Sequence, residues 1–73
     1  MYLKIHTLEG TKFEGEVDSV TLPASDGEIT ILPGHIPLIT TLSIGNIKTA
    51  KESFPITGGV AEVDDKGVVV LAS

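Results

Sequence analysis

This chain of 73 residues has no cysteine, no tryptophan and no arginine. Without cysteine it has neither disulfides nor thiolate metal ligands, and the two histidines, His6 and His35, have no spacing that makes a zinc site. The lack of cysteine fits a reducing compartment. Without arginine, and with five lysines against ten acidic residues for a net charge of −5, the chain is poorly suited to phosphate or nucleic acid. No long hydrophobic run is present. The longest, Val68-Val69-Val70-Leu71-Ala72, falls far short of the roughly 20 residues that cross a bilayer. No basic segment followed by an apolar stretch opens the chain, so no signal peptide is read there. Aromatic residues are scarce as well. Tyr2, Phe13 and Phe54 are the whole set, which leaves little for a stacking platform.

Val, Ile and Thr make up 23 of the 73 residues, against four alanines. Side chains branched at Cβ lose χ1 freedom in a helix and suit a pleated surface. No segment carries a sustained apolar stripe at helical spacing. Turn signals recur about every 8 to 12 residues, the rhythm of an all-β sandwich or barrel. Tyr2 to Leu8 alternates, with Leu3 and Ile5 on one side and Lys4 and His6 on the other. Lys12 to Leu22 reads as a longer strand region, with Gly15 as its bulge or bend. Strands are predicted over Glu28–Leu32, Leu38–Leu42, Ile47–Lys51, Phe54–Thr57, Val60–Val63 and Val68–Leu71. Asp64-Asp65-Lys66-Gly67 forms a hairpin turn. Eight to ten short strands cannot lie in one flat sheet without exposing an apolar face, so two packed sheets are expected. The core is assigned to Leu3, Ile5, Phe13, Val17, Val20, Leu22, Ile29, Ile31, Leu38, Ile47, Phe54, Ile56, Val60, Val63, Val69 and Leu71. One domain, 1–73, is expected, with no linker or repeat.

Residues that could carry chemistry are few. No GxSxG is present, and no serine lies near a histidine in sequence. Glu14, Glu16 and Asp18 alternate as a solvated strand face does. Asp64-Asp65 has too few ligands for a calcium loop. Gly58-Gly59 lacks the Lys-Ser/Thr of a phosphate loop and reads as a bulge or a close backbone approach. The distinctive stretch is Gly27-Glu28-Ile29-Thr30-Ile31-Leu32-Pro33-Gly34-His35-Ile36-Pro37-Leu38. Its Pro33-Gly34 pair forces a turn, and Pro37 pushes Ile36 toward extended geometry. The result is a rigid corner holding one histidine, a shape suited to presenting surface.

That stretch resembles the GE-x-x-(I/V)-(L/Y)-PGH-x-PL signature of the ε subunit of F-type ATP synthases. Phe13-Glu14-Gly15-Glu16-Val17, Thr40 to Gly45, Thr57 to Val63 and Val68 to Ala72 resemble further elements of that family, in order. Thr30 stands where the family often has Gly. The resemblance implies an all-β two-sheet sandwich of about ten short strands. It implies a central-stalk rotor subunit without catalysis of its own and without metal or cofactor, a partner of the γ subunit and of the loops of the membrane c-ring. It implies a peripheral position on the cytoplasmic face of the bacterial plasma membrane, with no direct insertion. Thr7 and His35 resemble positions that lie against γ. Glu28 resembles the acid that faces the c-ring, and Pro33, Gly34, Gly58 and Gly59 the structural turns. In the family a helical hairpin that senses ATP follows the last strand. Residues 1–73 are expected to hold none. Two rivals stand beside this reading: a free-standing sandwich that binds a ligand such as a sugar or another protein, and a small hydrolase built on His35.

Overall fold

The computed structural model describes residues 1–73, and every regular element in it is a strand. Nine are present: β1 (Tyr2–Thr7), β2 (Gly10–Glu16), β3 (Val20–Ala24), β4 (Gly27–Ile31), β5 (Leu38–Leu42), β6 (Gly45–Lys48), β7 (Ser53–Ile56), β8 (Gly59–Asp64) and β9 (Gly67–Ala72). Hydrogen bonding runs in the order β2-β1-β9-β8-β5-β3-β6-β7, with β4 on β3. The path curls into two faces. One holds β2-β1-β9-β8-β5 and the other β4-β3-β6-β7. A thin corner joins them, made by the pair Ala24↔Leu42 and by the bonds Ser25 N to Thr41 O (3.1 Å) and Ser43 N to Pro23 O (2.8 Å). At the open side the edge strands β2 and β7 meet through Phe13 and Phe54, whose ring centroids lie 5.4 Å apart at 53°. This tilted contact suits the aromatic quadrupole. The two ends of the chain are tied together, because β1 pairs in parallel with β9.

Between the faces lies one dry core. Leu3, Ile5, Val20, Leu22, Ile31, Ile47 and Val70 are fully buried in it, and no polar or charged side chain is buried. Phe13, Val17, Ile29, Leu38 and Phe54 pack on it from the rim. Each large buried side chain contributes about 1.5–3 kcal/mol of transfer free energy. Because the core holds nothing polar, no desolvation cost offsets that gain.

The structure corrects the sequence reading at four places. The region Lys12–Leu22 is broken at Val17–Ser19 into β2 and β3. The bulge is not at Gly15, which pairs regularly with Leu3. It falls at Lys12, where Ile5↔Phe13 is followed by His6↔Thr11 and one residue is left over. The strand expected over Ile47–Lys51 runs instead from Gly45 to Lys48 as β6. The last correction concerns which side of β8 and β9 faces inward. Val60 and Leu71 are exposed and Val69 is only half-buried, whereas Ala61, Val63, Val68, Val70 and Ala72 are buried. Successive side chains on a strand point to opposite faces, so Val60 and Val63 cannot share one. In β9 apolar residues occupy both faces, and a register one residue out inverts the whole strand.

Candidate partner-binding surfaces

His35 follows a turn that the sequence forces. Pro33 presets the first central position, Gly34 takes φ +84°, and His35 N donates to Leu32 O at 3.1 Å, as in a type II turn. The half-buried imidazole donates from Nδ1 to the carbonyl of its neighbour Ile36 at 2.7 Å. No carboxylate or hydroxyl bonds the ring, so nothing in the chain orients it as a base. The cleft beside it is small, about 130 Å³, and is bordered by Met1, Val63 and Asp64.

Thr7 closes β1, and its hydroxyl belongs to the following turn. Oγ1 accepts from Glu9 N at 3.1 Å and donates to Gly10 O at 3.1 Å. Thr7 borders a wider cleft of about 500 Å³ at the β2–β7 seam, lined by Ile5, Leu8, Phe54, Pro55 and Ile56. It is not near His35. β5 runs in the same direction as β1, since both are related to β9 through one parallel pairing and two antiparallel ones. His35 precedes β5 and Thr7 ends β1, so the two lie at opposite ends of one sheet. Gly58 and Gly59 sit at the Thr7 end. Gly59 has φ +149°, and a Cβ there would run into the Leu71 carbonyl and lie 2.9 Å from Ala72 Cα.

Glu28 projects outward from β4 on the other sheet. Its Oε2 takes a hydrogen bond from Lys48 Nζ at 3.1 Å, in a pair whose side chains are 56% and 49% exposed. Thr21, on the intervening β3, pairs with Thr30 of β4 and with Lys48 of β6, and its hydroxyl meets that of Thr30 at 3.0 Å. This outer face is polar.

The outer face of β1-β9-β8-β5 differs in character. Cross-strand pairing aligns His6, Leu71, Val60 and Thr41 in one row and Lys4, Val69, Glu62 and Ile39 in the next. Leu71 is 60% exposed, Ile39 72% and Val60 41%. Together with half-buried Val69 they group apolar side chains on the outward side of neighbouring strands, in place of the polar residues that usually cover a solvated sheet face. Sequence reading missed it because it placed Val60, Val69 and Leu71 in the core. Alternation counted outward from Ala61 and Val63 is the signal that finds it. At the β1–β2 edge of this sheet, Tyr2 donates to Glu14 Oε2 at 3.1 Å. Loss of solvation, that hydrogen bond, and the charges of Glu14 and Glu16 push the phenol above its usual value. The core is shared, so the apolar and polar outer faces point away from each other.

A sandwich with a dry interior and two outer faces of contrasting chemistry is a surface-bearing β module. The chain belongs to the family described as the ATP synthase delta/epsilon chain β-sandwich domain, whose model matches residues 1–73. An ATP synthase epsilon chain from Dehalococcoides mccartyi (strain BAV1) is 45% identical over 74 residues, spanning 96% of this chain and 53% of that relative. The epsilon chain of Synechococcus sp. (strain CC9605) is 39% identical over 75 residues, spanning 97% and 55%. Among solved structures, a chain in the Euglena gracilis mitochondrial ATP synthase OSCP/F1/c-ring assembly superposes with a TM-score of 0.82 at 25% identity, over 96% of this chain and 48% of that one. The chain thus spans about half the length of the relatives it matches.

Proposed function

We propose that this chain is a non-catalytic rotor component of an F-type ATP synthase. Its apolar face grips the γ subunit and its polar face rests on the loops of the c-ring, so that ion flow and ATP synthesis are coupled through a stiff body. In this reading the chain works peripherally on the cytoplasmic side of the bacterial plasma membrane and binds no cofactor. The observation that carries the proposal is the exposed apolar patch of Leu71, Val60, Ile39 and Val69 on the sheet whose two ends hold Thr7 and His35. An apolar centre with polar ends is the usual anatomy of a protein interface. Glu28 lies on the opposite face, which lets two partners be held at once. Stiffness follows from nine strands joined mostly by short turns around a dry core.

Co-purification tests this. The tagged chain, expressed with γ, is expected to bring γ down with it. Glu28→Lys and His35→Ala combined are expected to weaken assembly of γ with the ring and to lower coupling. Failure to retain γ, or full assembly and coupling in the double variant, refutes the proposal.

A further inference from the structure

We propose that Lys48 acts with Glu28 as a recognition pair, so that the polar face reads a partner loop offering a hydrogen-bond donor and an acceptor side by side. This rests on the ring-facing role proposed for Glu28 and names the chemistry of the loop it meets. A lone exposed carboxylate in a chain of net charge −5 would call for a basic partner. The geometry points elsewhere. Glu28 lies opposite Pro23 and Lys48 opposite Thr21, so the two side chains meet diagonally over β3. Pro23 is buried and wedged so tightly against Gly45 that a Cβ on Gly45 would lie 2.8 Å from Pro23 Cβ. The floor beneath the pair is therefore low, and the 3.1 Å contact forms above it.

The consequence is electrostatic. Opposite charges 3.1 Å apart present a dipole whose field decays far faster than that of a single charge, so the pair adds little long-range pull on a cation. What it offers at contact is directional. Glu28 Oε1 makes no hydrogen bond within the chain, and Lys48 keeps two N–H donors beyond the one given to Glu28. The paired Thr21 and Thr30 hydroxyls extend the same polar surface. Both charged side chains are about half exposed, so a loop can reach both without first dismantling the fold. A purely basic loop would satisfy Glu28 and be repelled by Lys48. A loop carrying a donor next to an acceptor satisfies both.

The test uses the whole 73-residue chain immobilised on a sensor, with detergent-solubilised c-ring in solution at about 50 and 300 mM salt. Lys48→Ala and Glu28→Gln are each expected to weaken binding by about 3- to 10-fold, and Lys48→Arg to stay within about 2-fold of the parent, with thermal midpoints unchanged because the pair is exposed. Binding by the parent chain is expected to fall less than about 3-fold between the two salt levels. The swapped pair, Glu28→Lys with Lys48→Glu, keeps the internal contact but inverts the dipole, and is expected to lose binding. Lys48→Ala binding as well as the parent or better, with Glu28→Gln still weakened, overturns the inference while leaving the role of Glu28 intact, whereas a swapped pair that binds normally overturns both. A parent chain that does not bind the ring refutes that role, and this inference falls with it.

Discussion

Val70 and Leu71 are adjacent on β9 and separate stability from binding. Val70 is fully buried, in a row with Ile5 of β1 and Ala61 of β8. Val70→Ala removes two methyl groups and leaves a void. Ala61, already small, cannot fill it. Lost transfer energy plus the cavity gives about 2–3 kcal/mol of destabilisation. At about 4–8 °C per kcal/mol for a domain of this size, the thermal midpoint should fall by about 10–20 °C. Leu71 is 60% exposed on the outer face. Leu71→Ala should change stability by no more than about 0.5 kcal/mol. As a central residue of the proposed γ face it should cost about 1–2 kcal/mol of binding, roughly 5- to 30-fold in Kd. Circular dichroism melts and a γ-binding titration on the two variants read both effects. Two outcomes would overturn this account of β9. If Leu71→Ala melts as early as Val70→Ala, the inward side of β9 is misassigned. If Leu71→Ala binds γ like the parent, the apolar patch is not the contact.

Gly59→Ala is expected to destabilise by about 3 kcal/mol, seen as a lowered denaturation midpoint, because φ +149° disfavours a side chain and the new Cβ meets the backbone of Leu71 and Ala72. Tyr2 is the only tyrosine and no tryptophan is present, so absorbance near 295 nm follows its phenol alone. Its midpoint should lie above 10, and Glu14→Gln should lower it. Since the folded-state value is raised, the contribution of Tyr2 to stability is complete below the unfolded value near 10. It is lost as pH climbs through the folded one, and Tyr2→Phe should flatten that alkaline decline in a pH series of melts. Phe13→Ala and Phe54→Ala should each open the β2–β7 seam, and a double-mutant cycle by chemical denaturation should return a coupling of about 0.5–1.5 kcal/mol. His35→Ala should leave the thermal midpoint within a few degrees, since its side-chain bond reaches no further than Ile36, while weakening γ binding in a titration.

Most strands and turns follow from local sequence alone, the break at Val17–Ser19 and the bounds of β6 excepted. β-branched residues, the Pro33-Gly34 corner and the Asp64–Gly67 hairpin act through dihedral preferences that need no distant partner, and they suffice for an all-β fold and for the family signature around His35. Alternation also placed Leu3 and Ile5 inside, because polar Lys4 and His6 stand between them. Tertiary structure decided what local preference leaves degenerate. In β9 the run Val68–Leu71 is apolar at every position, so only pairing with β1 and β8 selects the buried side, and the same choice creates the exposed patch. The bulge went to Lys12 because it is where β2 must regain register with β1 beyond Phe13. Glu28 was legible as an exposed acid. Its pairing with Lys48, twenty residues away, was not, because only folding both strands against β3 brings the two charges within hydrogen-bonding distance.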